Sequence, residues 1–145
     1  MAATAGQIAE AGRIPGERIA TTVRTSTVGS ITTTETEVDS VTAALVTGRT
    51  YRVRWHGPVQ STAAADNVRA FIHQTNTSGT ILQLDDVTPA AANIKYGMTL
   101  ELEFTATSTG DQEFIASLDR ISGSGTVSSV ASATQPAYLY VDFIR

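Results

Sequence analysis

From Arg18 onward, apolar and polar residues alternate with a period of two, in short runs separated by turn residues. The clearest run is 51–55, where Tyr51, Val53 and Trp55 project to one side and Arg52 and Arg54 to the other. Leu100, Leu102 and Phe104 alternate with Glu101 and Glu103 in the same way. Val68, Ala70 and Ile72 alternate with Arg69, Phe71 and His73, and Phe114, Ala116 and Leu118 share a face. Residues 37–47 direct Val38, Val41 and Leu45 inward. The Thr-rich runs 18–27 and 30–37 predict strands on an edge or a wet face, and further strands are predicted over 80–84, 126–132 and 137–145. Thr47-Gly48-Arg49, Asn76–Gly79, Thr109-Gly110-Asp111 and Ser122–Gly125 read as turns. His56-Gly57-Pro58 predicts the end of a strand, because proline cannot donate to a ladder. Residues 61–66 read as a loop of small residues, and 85–98 as the longest irregular connection. About ten strands with turns every 8–12 residues or so predict an all-β antiparallel sandwich or barrel over 18–145.

The last run, Ala137–Arg145, breaks the alternation. Leu139, Val141 and Phe143 lie on one face, while Tyr138, Tyr140 and Ile144 lie on the other with Asp142 as its one polar member. An antiparallel strand with one wet face shows one apolar and one polar side, so two apolar sides predict that both are covered. No good amphipathic helix is encoded to cover a sheet. The expected cover is another copy of the chain, with Tyr138, Tyr140 and Ile144 at a subunit interface. Residues 1–17 differ in composition, being rich in Ala and Gly and closing on Ile14-Pro15-Gly16. Ile8, Ala11 and Ile14 recur at helical spacing, but a helix this short is marginal alone. The segment reads as an arm that orders against a partner.

Composition narrows the chemistry. The chain has 145 residues, a net charge of −4 and no cysteine. Disulfides, thiolate metal sites and cysteine nucleophiles are therefore excluded. The acidic balance argues against nucleic acid or an anionic membrane as a partner. Thr and Ser make up roughly a quarter of the residues, a bias that suits solvated sheet faces. No apolar run approaches the roughly 18–20 residues of a membrane-spanning helix, and the N-terminus lacks the basic-then-apolar order of a signal peptide. His56 and His73 have neither HxH nor HExxH spacing and read as structural or surface residues. Asp85, Asp86, Asp111, Glu113 and Asp119 form no calcium-loop pattern and read as a solvated rim. Arg49, Arg52 and Arg54 read as one side of a charge ladder to Glu101 and Glu103. Asn76-Thr77-Ser78 fits a glycosylation sequon, which matters only in a eukaryotic secreted protein. No GxSxG, GxGxxG or Walker loop is present, so the sequence predicts no enzyme, no catalytic residue, no metal site and no cofactor.

Two stretches carry a family resemblance. The opening Thr4-Ala5-Gly6-Gln7-Ile8, followed by Ala11-Gly12-Arg13-Ile14-Pro15-Gly16, resembles the starts of small virion proteins of tailed phages of actinobacteria. The close, from Ser122-Gly123-Ser124-Gly125-Thr126-Val127 through Ala133-Thr134-Gln135-Pro136-Ala137-Tyr138-Leu139, is similar to their ends. The resemblance implies a jelly-roll-like β-sandwich of about 8–10 strands. It also implies a homotrimer displayed on the virion, with its last strand near the oligomer axis. A non-enzymatic capsid decoration protein follows, anchored to the major capsid protein or a neighbouring copy through Thr4, Gln7, Ile8, Arg13 and Ile14. The alternative is a minor tail or fibre-tip protein that binds host-surface glycans, with Tyr51, Trp55 and Tyr96 as candidate stacking aromatics.

Overall fold

A computed structural model describes residues 13–145. Among them the chain forms ten strands: β1 (Arg18–Arg24), β2 (Thr27–Ile31), β3 (Thr36–Leu45), β4 (Thr50–Ser61), β5 (Asn67–Gln74), β6 (Ile81–Val87), β7 (Tyr96–Thr105), β8 (Gly110–Ser122), β9 (Val127–Val130) and β10 (Ala137–Phe143). Every ladder is antiparallel. One sheet has the order β3-β8-β5-β6, and the other holds the remaining six strands around β4.

The six-stranded sheet is four-stranded in disguise. β7 runs along one edge of β4, while β10 and β9 follow one another along its other edge, at residues 51–56 and 59–61. β1 pairs β10, and β2 pairs β9. Thus β1 and β2 are two halves of one interrupted strand, and β9 and β10 are two halves of its neighbour. Counting each pair once leaves two four-stranded sheets in which every connection crosses between sheets except the β5–β6 hairpin. That winding is the jelly roll, and the fold class is an all-β, antiparallel jelly-roll sandwich.

Alternation fixes what fills the space between the sheets. Tyr51, Val53 and Trp55 of β4 face Phe114, Ala116 and Leu118 of β8, with Leu100, Leu139, Val141, Val68 and Ile72 around them, all buried. Phe104 meets Phe114 edge-on at 5.2 Å, and Tyr51 meets Phe143 at 5.8 Å. The Tyr51 hydroxyl accepts a hydrogen bond of 2.9 Å from the Val46 amide, so its polar tip is satisfied at the base of the core. Tyr51 and Trp55 therefore cannot stack on a ligand, which corrects their reading as surface-binding aromatics. The same alternation that marks their strand turns both rings inward.

Other local readings shift for physical reasons. The run 18–27 breaks at residues 25 and 26, and the run 30–37 resolves into the end of β2, a bend and the start of β3. The strand predicted to end at His56-Gly57-Pro58 continues to Ser61. On the β9–β10 edge nothing pairs with Gly57 or Pro58, so the proline falls where the ladder is already interrupted. Gly57 is required there, since a Cβ would come within 2.6 Å of the Trp55 indole. The irregular connection before β7 is shorter than expected, because β6 extends to Val87.

At the strand interruption the core turns polar. A register shift between Glu37 and Asp39 sends both Val38 and Asp39 into the interior. The Asp39 carboxylate accepts hydrogen bonds from the Trp55 indole (2.8 Å) and from Arg24 Nε (2.9 Å). Arg24 also donates to the Val38 carbonyl (3.0 Å), the Ser129 hydroxyl (2.6 Å) and the Ser26 carbonyl. One buried ion pair thus joins β1, β3, β4 and β9. Asp39→Ala should lower unfolding stability by about 3–5 kcal/mol, because it strands a buried guanidinium and an indole N–H. Urea denaturation monitored by Trp55 fluorescence measures this.

A second buried carboxylate, Asp66, sits at the end of β4, beside Ser61. It accepts hydrogen bonds from the Ser61 hydroxyl and from the amides of Ser124 (3.0 Å) and Gly125 (3.3 Å). Burial pushes its carboxyl up, but the Ser61 hydroxyl, the two amides and the Arg120 charge together hold it below the ordinary value of 3.8. A depressed carboxylate contributes stability that is present above the unfolded value and lost as pH falls through the folded one. Asp66→Asn should cost about 2 kcal/mol at neutral pH. It should also flatten the loss of stability that the parent protein shows below about pH 4, as read from denaturation midpoints across pH.

Candidate functional site on the outer face of the six-stranded sheet

The registers lay out the outer face of the β1–β10–β4–β7 region row by row. Val23, Tyr138, His56 and Thr99 form one row; Thr21, Tyr140, Arg54 and Glu101 the next; Arg18, Asp142, Arg52 and Glu103 the third. The lower two rows are a charge ladder. Arg18 pairs with Asp142 at 2.9 Å, Glu101 with Arg52 at 3.4 Å and with Arg54 at 3.6 Å, and Arg145 with Glu103 at 3.3 Å. The arginines that alternate with Tyr51, Val53 and Trp55 are therefore partnered within the chain. Exposed pairs of this kind contribute roughly 0–1 kcal/mol each.

The tyrosines of β10 do lie outward, and each is half-buried. The Arg18 guanidinium stands 3.5 Å from the centre of the Tyr140 ring, and Arg54 Nη1 donates to its hydroxyl at 3.4 Å. Part of the cover expected from another copy is thus supplied by arginines of the same chain. Ile144 is half-buried beyond the end of β10, with its amide donating to the Thr50 carbonyl at 2.9 Å.

Above the tyrosine row the face opens into a groove of about 230 Å³. Its origin is the interruption between β9 and β10. Residues 131–136 leave the sheet there, and the Ser132 and Gln135 backbones bond to each other to close a small turn (3.0 and 3.2 Å). Gln135 and Pro136 stand up as one wall; Lys95 and Tyr96, leading into β7, form the other. His56, Pro58 and Gly97 make the floor, and Tyr138 closes the lower end. Gly97 lies opposite Pro58 and leaves the floor open, since a Cβ there would meet nothing nearer than His56 Cε1 at 3.4 Å. His56 Nδ1 is 2.8 Å from the Thr99 hydroxyl, which orients the ring. Tyr96 is half-buried and its hydroxyl accepts from the Ala90 amide at 3.0 Å.

Of the candidate stacking aromatics Tyr96 borders the groove, but it alternates with the buried Met98 and Leu100 and packs against the core. Tyr138, first read as an interface residue, borders the same site. Lys95, Gly97, Gln135 and Pro136 carry no motif, and only the folded excursion brings them beside His56. Thr4, Gln7 and Ile8 of the arm lie outside the described residues. Arg13 is half-buried and Ile14 is 72% exposed. The segment behind them is pinned beside β10, with Gly16 donating to the Phe143 carbonyl (2.7 Å) and Phe143 to the Glu17 carbonyl (2.8 Å).

The remaining polar candidates are structural. His73 is buried, with Nε2 2.6 Å from Glu35, which also accepts from the Ser117 hydroxyl. Arg69 lies in register between Asp86 and Asp119 and pairs with Asp86 at 2.9 Å. Burial, opposed by Arg69 and reinforced by the nearby Glu35 and Asp86 charges, pushes the Asp119 carboxyl up. Asp119→Asn should accordingly raise stability at neutral pH and leave it unchanged in acid, as thermal melts at the two pH values would show. Among the described residues no group of three or more His, Asp or Glu side chains converges to hold a metal.

No protein-family model matches the chain, and no curated protein does. Solved structures share its fold at low identity. One is a structure described as "CBM4 structure and function", 16% identical, covering 72% of this chain and 60% of that one, with a TM-score of 0.36. Another is the infectious bursal disease virus VP2 subviral particle, 12% identical over 88% of this chain and 37% of that one, with a TM-score of 0.46. A third is the CBM22-1 xylan-binding domain of Paenibacillus barcinonensis Xyn10C, 10% identical over 90% and 97%, with a TM-score of 0.33. The chain spans less than two thirds of the first two. At these identities the likeness is one of fold alone.

Proposed function

We propose that this chain is a non-enzymatic structural protein of a phage virion, a capsid decoration protein assembled as a homotrimer. The observation that carries the reading is the placement of the arm. Gly16 and Glu17 are tied by backbone hydrogen bonds to Phe143 at the end of β10, beside Ile144. An anchoring segment and a half-covered aromatic strand therefore leave the body at the same corner, where one contact with a neighbour uses both. The resemblance of both chain ends to small phage virion proteins points the same way. In this arrangement the body is a rigid sandwich, the arm reaches the major capsid protein or an adjacent copy, and each added interface raises the barrier to shell rupture.

The purified protein is expected to sediment at three times 15.3 kDa. Tyr140→Glu should weaken association at least about tenfold while leaving the far-ultraviolet circular dichroism unchanged. Deletion of residues 1–17 should abolish incorporation into particles. Quantitative mass spectrometry of virions should give a copy number close to that of the capsomers; a handful of copies per particle would place the protein in the tail instead.

A further inference from the structure

The geometry points to the groove between Gln135-Pro136 and Lys95–Gly97 as a binding site for a single pyranose ring of an exposed glycan chain. The lining matches that chemistry group by group. A pyranose has a flat C–H face and a rim of hydroxyls, each both donor and acceptor. Tyr138 supplies a phenol ring, and its hydroxyl, the Gln135 carboxamide and the Lys95 ammonium make no hydrogen bond to another described residue. They offer donors and acceptors of both kinds, with the ammonium as donor only. His56 presents Nε2 because Nδ1 is held by Thr99.

Other ligands fit less well. No carboxylate lines the groove, so a metal cation has no hard ligand there. A single ammonium without a helix N-terminus or a nest of amides is a poor phosphate site. The volume of about 230 Å³ falls below that of pockets for drug-sized ligands and suits one small ring. Two rigid features keep the site formed without a ligand: the Ser132–Gln135 turn that holds one wall, and the bare Gly97 floor. Pre-formed sites of this sort lose little ordering entropy on binding. The inference does not depend on the virion reading.

The test uses the full chain on an array carrying neutral hexose oligomers, N-acetylhexosamine oligomers and uronic acid oligomers, followed by titration calorimetry with the strongest binder. The parent protein is expected to bind at least one class. Gly97→Trp fills the groove without removing any ligand-facing group and should abolish binding. Tyr138→Ala should weaken it at least tenfold. Lys95→Ala should weaken it selectively if the preferred sugar is a uronic acid and leave it nearly unchanged if the sugar is neutral; either result supports the site. Each variant is compared only if its thermal transition stays within a few degrees of the parent. Absence of binding to every class overturns the inference. So does binding that survives both Gly97→Trp and Tyr138→Ala, as does loss of self-association in those two variants without loss of saccharide binding, which would make the groove a protein contact.

Discussion

The Asp39 carboxylate is the constraint on which the rest of the molecule depends. It sits between the sheets at the level where both interrupted strands break, and Arg24 spans that gap. Without the pair, the halves β1 and β2 would be joined to their neighbours by short ladders alone. Buried ion pairs are poor stabilisers when compared with well-packed apolar groups, but they are strict about geometry. Here the strictness fixes which residues of β1, β3, β4 and β9 face one another. The pair lies at the break in the sheet, and the groove follows from the break.

Much of the sandwich was legible in the sequence because a period of two is a direct image of the pleat. The inward set Tyr51, Val53, Trp55, Leu100, Phe114 and Leu118 could be read off by alternation alone. The breaks were not legible in the same way. Asp39 looks like any polar residue of the 37–47 run until a bulge turns it inward. Pro58 obeys the rule that excludes proline from ladders, yet sits mid-strand because no strand pairs with it on the β9–β10 edge. Such facts belong to pairs of distant segments, and no local window contains them.

The candidate site divides along the same line. Tyr51, Trp55 and Tyr96 stood out for ring chemistry that the fold spends wholly or partly on the core, and Tyr138, read as an interface residue, borders the groove. His56 read as a structural or surface residue, and the groove around it is built from three separate stretches of chain. The two apolar faces of the last strand were a sound observation with an incomplete explanation. Arginine stems and guanidinium planes can blanket a tyrosine as a partner subunit would, and alternation patterns do not distinguish the two.

The excursion at 131–136 begins and ends in the same sheet edge and closes on itself through its own backbone. Its middle residues, Ala133 and Thr134, are exposed and outside any ladder. A stretch of this kind can be lengthened, shortened or exchanged while the scaffold keeps its shape, so descendants of one ancestral body can diversify what they grip by rewriting six residues. For the same reason it is the natural place to graft a foreign peptide for display.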